Sequence, residues 1–235
     1  MSKDLIINVN PKSVFSEAIK TIRTNLAFSA IDKEIKIILS TSPEAGDGKS
    51  FICSNLAVAY AQEDKKVLII DCDLRKGRQH EIFEVMNSTS GGYSNLILNY
   101  KDNIDFENYI MGTTNRNIDL LPTGPTPPNP VELLASENNK KLLLQLREKY
   151  DVIILDCPPV LGLSDTLILT KYSDANVVVV SNKKTKLESL ERTKKAFSQA
   201  NASITGVIIN KASVRDNSYY SYYISDYYGE KKKKK

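Results

Sequence analysis

The stretch from Ile35 to Ser50 constrains this chain more than any other part of it. A short apolar run, Ile35 to Ser40, feeds directly into Thr41, Ser42, Pro43, Glu44, Ala45, Gly46, Asp47, Gly48, Lys49 and Ser50, and a helical pattern follows. Gly46 and Gly48 let the backbone curl so that successive N–H groups turn inward, which makes a cradle for phosphate oxygens. Lys49 stands where it reaches the β- and γ-phosphates of a nucleotide, and the Ser50 hydroxyl where it ligates Mg2+. The helix that starts here adds the positive end of its dipole at the same spot. Candidate nucleotide contacts are therefore Ala45, Gly46, Asp47, Gly48, Lys49, Ser50 and Phe51, with ATP and Mg2+ as the implied cofactors. The general phosphate-loop pattern has Gly at the place of Pro43, but the strand–loop–helix context carries the reading.

Further apolar runs recur at Lys66 to Ile70, Ile118 to Leu121, Val152 to Leu155, Asn176 to Ser181 and Ile204 to Ile209. Several are apolar without alternation, as strands covered on both faces of a parallel sheet are. Helical patterns lie between them, over residues 14–30, 49–63, 131–148, 164–174 and 186–200. In the first, Phe15, Ile19, Ile22 and Leu26 recur at helical spacing and leave Glu17, Lys20 and Arg23 nearer the outside. This order predicts an α/β fold: a doubly wound, mostly parallel sheet with helices on both faces and ligands at the C-terminal edge of the strands. At 235 residues and 41% hydrophobic, the chain can bury a substantial core as one domain. We expect that domain over residues 1–212, with the Pro-rich stretch Pro122 to Pro130 as a loop and a flexible tyrosine-rich tail over 213–235.

Two of the apolar runs end in acid. Val67 to Ile70 leads into Asp71, Cys72 and Asp73, and Val152 to Leu155 leads into Asp156. A carboxylate at a strand end beside a phosphate loop holds Mg2+ directly or through water, which makes Asp71 and Asp156 candidate metal ligands together with Ser50. Asp71 and Asp73 are expected to point to different sides, one toward the metal and the other toward an incoming hydroxyl as orienter or base. The candidate catalytic residues are thus Lys49, Asp71 and Asp73. The competing reading is that a strand-end Asp caps the next turn. Arg75, Lys76 and Arg78 follow, either as a phosphate- or partner-binding turn or as a solvated basic turn.

Six of the twelve tyrosines, Tyr219, Tyr220, Tyr222, Tyr223, Tyr227 and Tyr228, fall among the last seventeen residues, with Ile224 as almost the only aliphatic neighbour. Such a cluster cannot form a core and reads as an exposed set of phenols near a phosphate-binding loop. A phenol, with its pKa of about 10, is a poor nucleophile at neutral pH unless a carboxylate accepts its proton. These six are candidate autophosphorylation sites. Composition removes other classes. The net charge of +4 is exceeded by Lys231 to Lys235 alone, which argues against a general nucleic-acid binder. His80 is the single histidine, so no His-based triad or zinc site is available. Cys53, Cys72 and Cys157 are scattered, without disulfide or zinc spacing, and suit a reducing cytoplasm. No apolar stretch approaches the roughly 18 residues that cross a bilayer, so a membrane role is expected to come through a partner. The Gly-rich loop, H-R-D and D-F-G set of eukaryotic-type protein kinases is absent.

Together these segments resemble the bacterial tyrosine kinases of the P-loop type, cytoplasmic kinases that regulate capsule and exopolysaccharide synthesis, over nearly the whole chain. Thr41 to Ser50 resembles that family's Walker A motif, Val67 to Gly77 its Walker A′ and Val152 to Pro159 its Walker B. Leu121 to Pro130 with Glu132 and Leu133 resembles a characteristic family segment, and the tyrosine-rich tail resembles its hallmark. The resemblance implies ATP- and Mg2+-dependent phosphorylation of tail tyrosines between neighbouring subunits of a homo-oligomeric ring. It implies an interface through a Glu-x-x-Arg-x-x-Arg helix, present here as Glu17, Lys20 and Arg23; Lys20 keeps the charge but loses the bidentate fork. Ala45 stands where the family often has Pro, and Asn210 where related P-loop ATPases contact adenine. The family's split form, typical of Gram-positive bacteria, implies a separate transmembrane activator of the polysaccharide co-polymerase type and a place at the inner face of the membrane; a cognate tyrosine phosphatase is expected to reverse the phosphorylation. Two other readings compete. A partition- or division-site-type switch ATPase shares the fold but carries a signature Lys at the place of Glu44; a nucleotide-binding regulatory scaffold would present tyrosines that another kinase modifies.

Overall fold

The computed structural model describes residues 2–29, 34–86, 91–101, 104–106 and 108–213. The tail tyrosines and Lys231 to Lys235 lie outside the described residues. The strands are β1 (Ile37–Thr41), β2 (Val67–Asp71), β3 (Met111–Gly112), β4 (Ile118–Leu121), β5 (Val152–Asp156), β6 (Ala175–Ser181) and β7 (Gly206–Asn210). They form a seven-stranded sheet in the order β3-β4-β2-β5-β1-β6-β7. Every pairing is parallel except that of β3 with β4. The helices are α1 (Ile6–Val9), α2 (Val14–Phe28), α3 (Lys49–Ala61), α4 (Gln79–Ile82), α5 (Tyr93–Leu98), α6 (Pro130–Leu134), α7 (Glu137–Lys149), α8 (Asp165–Leu169) and α9 (Leu187–Gln199).

The pleat explains the unbroken apolar runs. Within β1, Ile38 turns to one face and packs in a cluster with Ile19, Leu26, Ile52 and Leu56 of α2 and α3. Ile37 and Leu39 turn to the other face and join Leu96, Leu142, Leu146 and Leu169. All residues of β1, β2 and β5 are buried, because parallel strands here carry helices on both sides. The expected doubly wound α/β sheet is therefore the observed one.

Element ends differ where local capping decides. The helical pattern over 131–148 is two helices, since the Ser136 hydroxyl accepts the Asn139 N–H at 3.2 Å and starts α7 afresh. The pattern over 164–174 stops earlier, at Leu169. The two-residue β3 and the short helices α1, α4 and α5 carry too few residues to show a period.

Acids at the N-terminal strand edge tie neighbouring strands and helices together. Asp151 accepts the Lys66 N–H at 2.8 Å. Asp174 accepts the N–H groups of Lys36 and Ile37 at 2.9 and 2.8 Å and the Arg147 guanidinium at 2.6 Å. Burial would raise the Asp174 carboxyl, but Arg147 and the two backbone donors outweigh it and hold it below its ordinary value. Its stabilisation is thus present above the unfolded-state pKa of about 3.9 and is lost as pH falls through the lower folded-state value. Asp174→Ala is expected to cost about 1–3 kcal/mol at pH 7 by denaturant unfolding, with the gap to the unsubstituted protein closing at strongly acid pH.

Candidate active site

Parallel pairing brings the C-terminal ends of β1, β2, β5, β6 and β7 to one edge, and the loop from Ser42 to Gly48 rises from the middle of it. Gly46 and Gly48 adopt φ of 86° and 95°, in the left-handed region. A Cβ on Gly48 would also lie 2.1 Å from Asn210 Nδ2. Gly48 caps α3 without any side-chain acceptor, so the first N–H groups of that helix remain available to an anion.

The neighbouring strand ends fix the loop's shape. The buried Asp47 accepts the Thr185 hydroxyl at 2.9 Å and the Glu44 N–H at 3.3 Å, and its own carbonyl accepts Asn210 Nδ2 at 2.9 Å. Lys211 Nζ donates to the Gly46 carbonyl at 2.7 Å and Lys184 Nζ to the Ala45 carbonyl at 3.5 Å. Ser189 Oγ donates to Glu44 at 2.7 Å. Of the expected nucleotide contacts, the Asp47 and Asn210 side chains buttress the loop, and the Phe51 ring packs tilted against Phe15 with centroids 5.0 Å apart, which leaves Phe51 its backbone N–H.

At the centre stands Lys49. Its ammonium lies 3.3 Å from Asp156 Oδ1, 3.6 Å from Asp73 Oδ2 and 3.3 Å from Ser50 Oγ. Asp71 and Asp156 face each other in register on β2 and β5. The expectation that Asp71 and Asp73 diverge fails: β2 ends at Asp71, residues two apart on extended chain share a face, and both acids lie around Lys49. The two acids also cap the following turn: Asp73 accepts the Lys76 N–H at 3.0 Å and Asp71 the Gln79 N–H at 2.9 Å.

Burial alone would lower the Lys49 pKa, but Asp156, Asp73 and Asp71 outweigh it and hold the ammonium above its ordinary range. Burial, and then the Asp156 charge, push the Asp71 carboxyl up to about 8. Crowded beside Asp156 and Asp73 around one cation, Asp71 thus keeps a proton at neutral pH that a bound divalent ion would displace. Among the described residues no three His, Cys, Asp or Glu side chains are arranged to hold a metal by themselves. Hard oxygen donors without a complete protein cage fit Mg2+ shared with nucleotide phosphates, as Mg2+ takes few protein ligands. The buried Gln79 Oε1, without a hydrogen-bond partner among the described residues, is a further acceptor at this spot.

Gln79 is a site residue that sequence reasoning missed. It is uncharged, belongs to no recognised spacing and is placed only by the turn after β2. Arg75 reaches an ion pair with the fully buried Asp165, and Arg78 pairs with Glu81 at 3.0 Å, so neither guanidinium is left unpaired. Gly77 passes directly over the acids: a Cβ there would lie 2.2 Å from Thr123 Cγ2 in the Pro-rich loop and 2.6 Å from Asp71 Oδ2. Gly77→Ala is expected to cost about 1–3 kcal/mol in unfolding free energy and to weaken nucleotide binding, since overpacking must displace one of those neighbours.

Other predicted residues stay apart from the cluster. On α2, Lys20 pairs with Glu17 at 2.8 Å, while Arg23 donates to the Ala59 carbonyl at 2.6 Å and pairs with Glu63. The three cysteines are free and buried, and burial pushes the Cys53 and Cys72 thiols up, which suits packing rather than nucleophilic chemistry. No helix among the described residues is long and apolar enough to cross a membrane.

Comparison with known proteins agrees with this geometry. The AAA domain family matches residues 35–210. The chain is 37% identical to the tyrosine-protein kinase YwqD of Bacillus subtilis, over 95% of this chain and 92% of that protein. It is also 37% identical to the putative tyrosine-protein kinase CapB of Staphylococcus aureus, over 96% and 95% of the two chains. The crystal structure of the chimerical protein CapA2B2 superposes with a TM-score of 0.83 at 36% identity, covering 90% of this chain and 91% of that one. With a phosphate loop, paired strand-end acids and identities of this size over nearly its full length, the chain belongs to the bacterial tyrosine-protein kinases built on the AAA-type P-loop domain.

Proposed function

We propose that this chain is an ATP- and Mg2+-dependent tyrosine autokinase that phosphorylates its C-terminal tyrosine cluster between subunits and so regulates capsular or exopolysaccharide synthesis. The observation that carries the reading is Lys49 held between Asp73 and Asp156 at the mouth of a phosphate loop. In this role the loop N–H groups and Lys49 bind the β- and γ-phosphates and offset the charge that develops on them. Ser50, Asp71 and Asp156 would hold Mg2+, which supplies further charge neutralisation at those oxygens. Asp73 accepts the phenolic proton as the tyrosine oxygen bonds to the γ-phosphorus and the bond from that phosphorus to the ADP oxygen breaks. Asp73 suits this task because it keeps slight exposure, 6%, whereas Asp71 and Asp156 have none.

The partners follow from the same reading: a ring of identical subunits meeting through Glu17, Lys20 and Arg23, a transmembrane activator that brings the chain to the inner face of the membrane, and a tyrosine phosphatase that resets it. Arg23 already serves α3 within the chain, so Glu17 and Lys20 are the more available charges. A switch ATPase is disfavoured by Glu44, whose carboxylate is bonded to Ser189 where that class has its Lys. Incubating the full chain with ATP and Mg2+ and mapping phosphotyrosine by mass spectrometry tests the function. The expected result is phosphate on Tyr219 to Tyr228 in the unsubstituted protein and none in Asp156→Asn. ATP turnover without phosphotyrosine would favour the switch ATPase instead.

A further inference from the structure

We propose that Gln79 is the positioning residue that holds the two strand-end acids and the phosphate loop in register for Mg2+, a role that rests on the ATP- and Mg2+-dependent reading above. Gln79 opens α4 and is fully buried. Its backbone N–H donates to Asp71 Oδ2 at 2.9 Å. Its side-chain amide donates to Asp156 Oδ2 at 2.8 Å and to the Ser50 carbonyl at 3.0 Å. One residue therefore ties together the ends of β2 and β5 and the first turn of α3, the three elements that carry Asp71, Asp156 and Ser50.

The amide orientation is fixed by chemistry. Both acceptors are oxygens, so a flipped amide would set Oε1 against a carboxylate and a carbonyl. Oε1 then has one direction, is buried and lacks a partner among the described residues. A water bound to Mg2+ is a donor matched to such an oxygen, and partners behind metal-ligating carboxylates commonly fix their orientation. Lys49 restrains Asp156 by charge; Gln79 restrains both acids by hydrogen bonds from a neutral side chain and backbone, so it adds no charge that would compete with the metal.

The test uses the full chain and a fluorescent ATP analogue, titrated first in EDTA and then with increasing Mg2+. Gln79→Met keeps length and burial but removes both side-chain donors. The Mg2+ concentration for half-maximal enhancement of nucleotide binding is expected to rise about 10–100-fold, while binding in EDTA stays within about threefold of the unsubstituted protein. At saturating ATP, kcat falls with little change in KM. If the Met variant does not fold, Gln79→Asn, whose amide is withdrawn by one methylene, is read in the same way. A Mg2+ half-saturation within threefold of the unsubstituted protein overturns the proposal. Equal weakening in EDTA and in Mg2+ also overturns it, because it marks general loosening. No Mg2+ effect on the unsubstituted protein overturns the cofactor reading, and the role of Gln79 falls with it.

Discussion

Lys49→Met is expected to abolish tyrosine phosphorylation, with turnover down by at least about a thousandfold, and to destabilise the fold as well. The two effects have one origin. The Lys49 ammonium neutralises phosphate charge during transfer, and positioned cations of this kind contribute several kcal/mol to phosphoryl transfer. It is also the cation that Asp156 and Asp73 share, at 3.3 and 3.6 Å. Removing it leaves buried carboxylates without compensation, at a cost of about 3–5 kcal/mol. Adding Asp156→Asn to Lys49→Met removes one of those charges and should restore part of the stability without any activity. Thermal unfolding and phosphotyrosine assays of both single variants and the double variant check this. A Lys49→Met protein as stable as the unsubstituted one would show that the cluster is not coupled as described.

Asp73→Asn is expected to lower turnover at least about a hundredfold while nucleotide affinity stays within about threefold. Asn keeps an acceptor for the Lys76 N–H, which Asp73 Oδ1 now receives at 3.0 Å, so the turn should survive. It cannot accept a proton from a phenol. Titration of labelled nucleotide beside single-turnover transfer separates the two quantities. Equal losses in both would make Asp73 a phosphate- or metal-binding group rather than the base.

Much of this was legible in sequence because the decisive signals are local. Gly46, Gly48, Lys49 and Ser50 sit within five residues, and the apolar runs before Asp71 and Asp156 announce both the strands and their ends. Two-faced burial leaves no polar residue inside β1 except near its end, so the run reads plainly as a central strand. The contacts that shape the site were not legible, since they join distant segments. Thr185 and Ser189 reach back to Asp47 and Glu44 across more than a hundred residues, and Asp165 meets Arg75 across 90. Gln79 carried no signal because hydrogen-bonding strand-end carboxyls is a task that many polar residues could announce and only the fold assigns. The break at Ser136 was readable as a cap in principle, but the apolar period continues through it and hides the interruption.

Transfer of phosphate between subunits is the central step proposed for this kinase, and a mixing experiment addresses it most directly. One chain carries Asp156→Asn with its tail tyrosines intact; the other keeps the active site but has Phe in place of Tyr219, Tyr220, Tyr222, Tyr223, Tyr227 and Tyr228. Neither chain alone should acquire phosphotyrosine in the tail with ATP and Mg2+. Mixed, they should yield phosphate on the tyrosines of the Asp156→Asn chain, seen by mass spectrometry. Labelling of the unsubstituted protein but none in the mixture, under the same conditions, would contradict transfer between subunits.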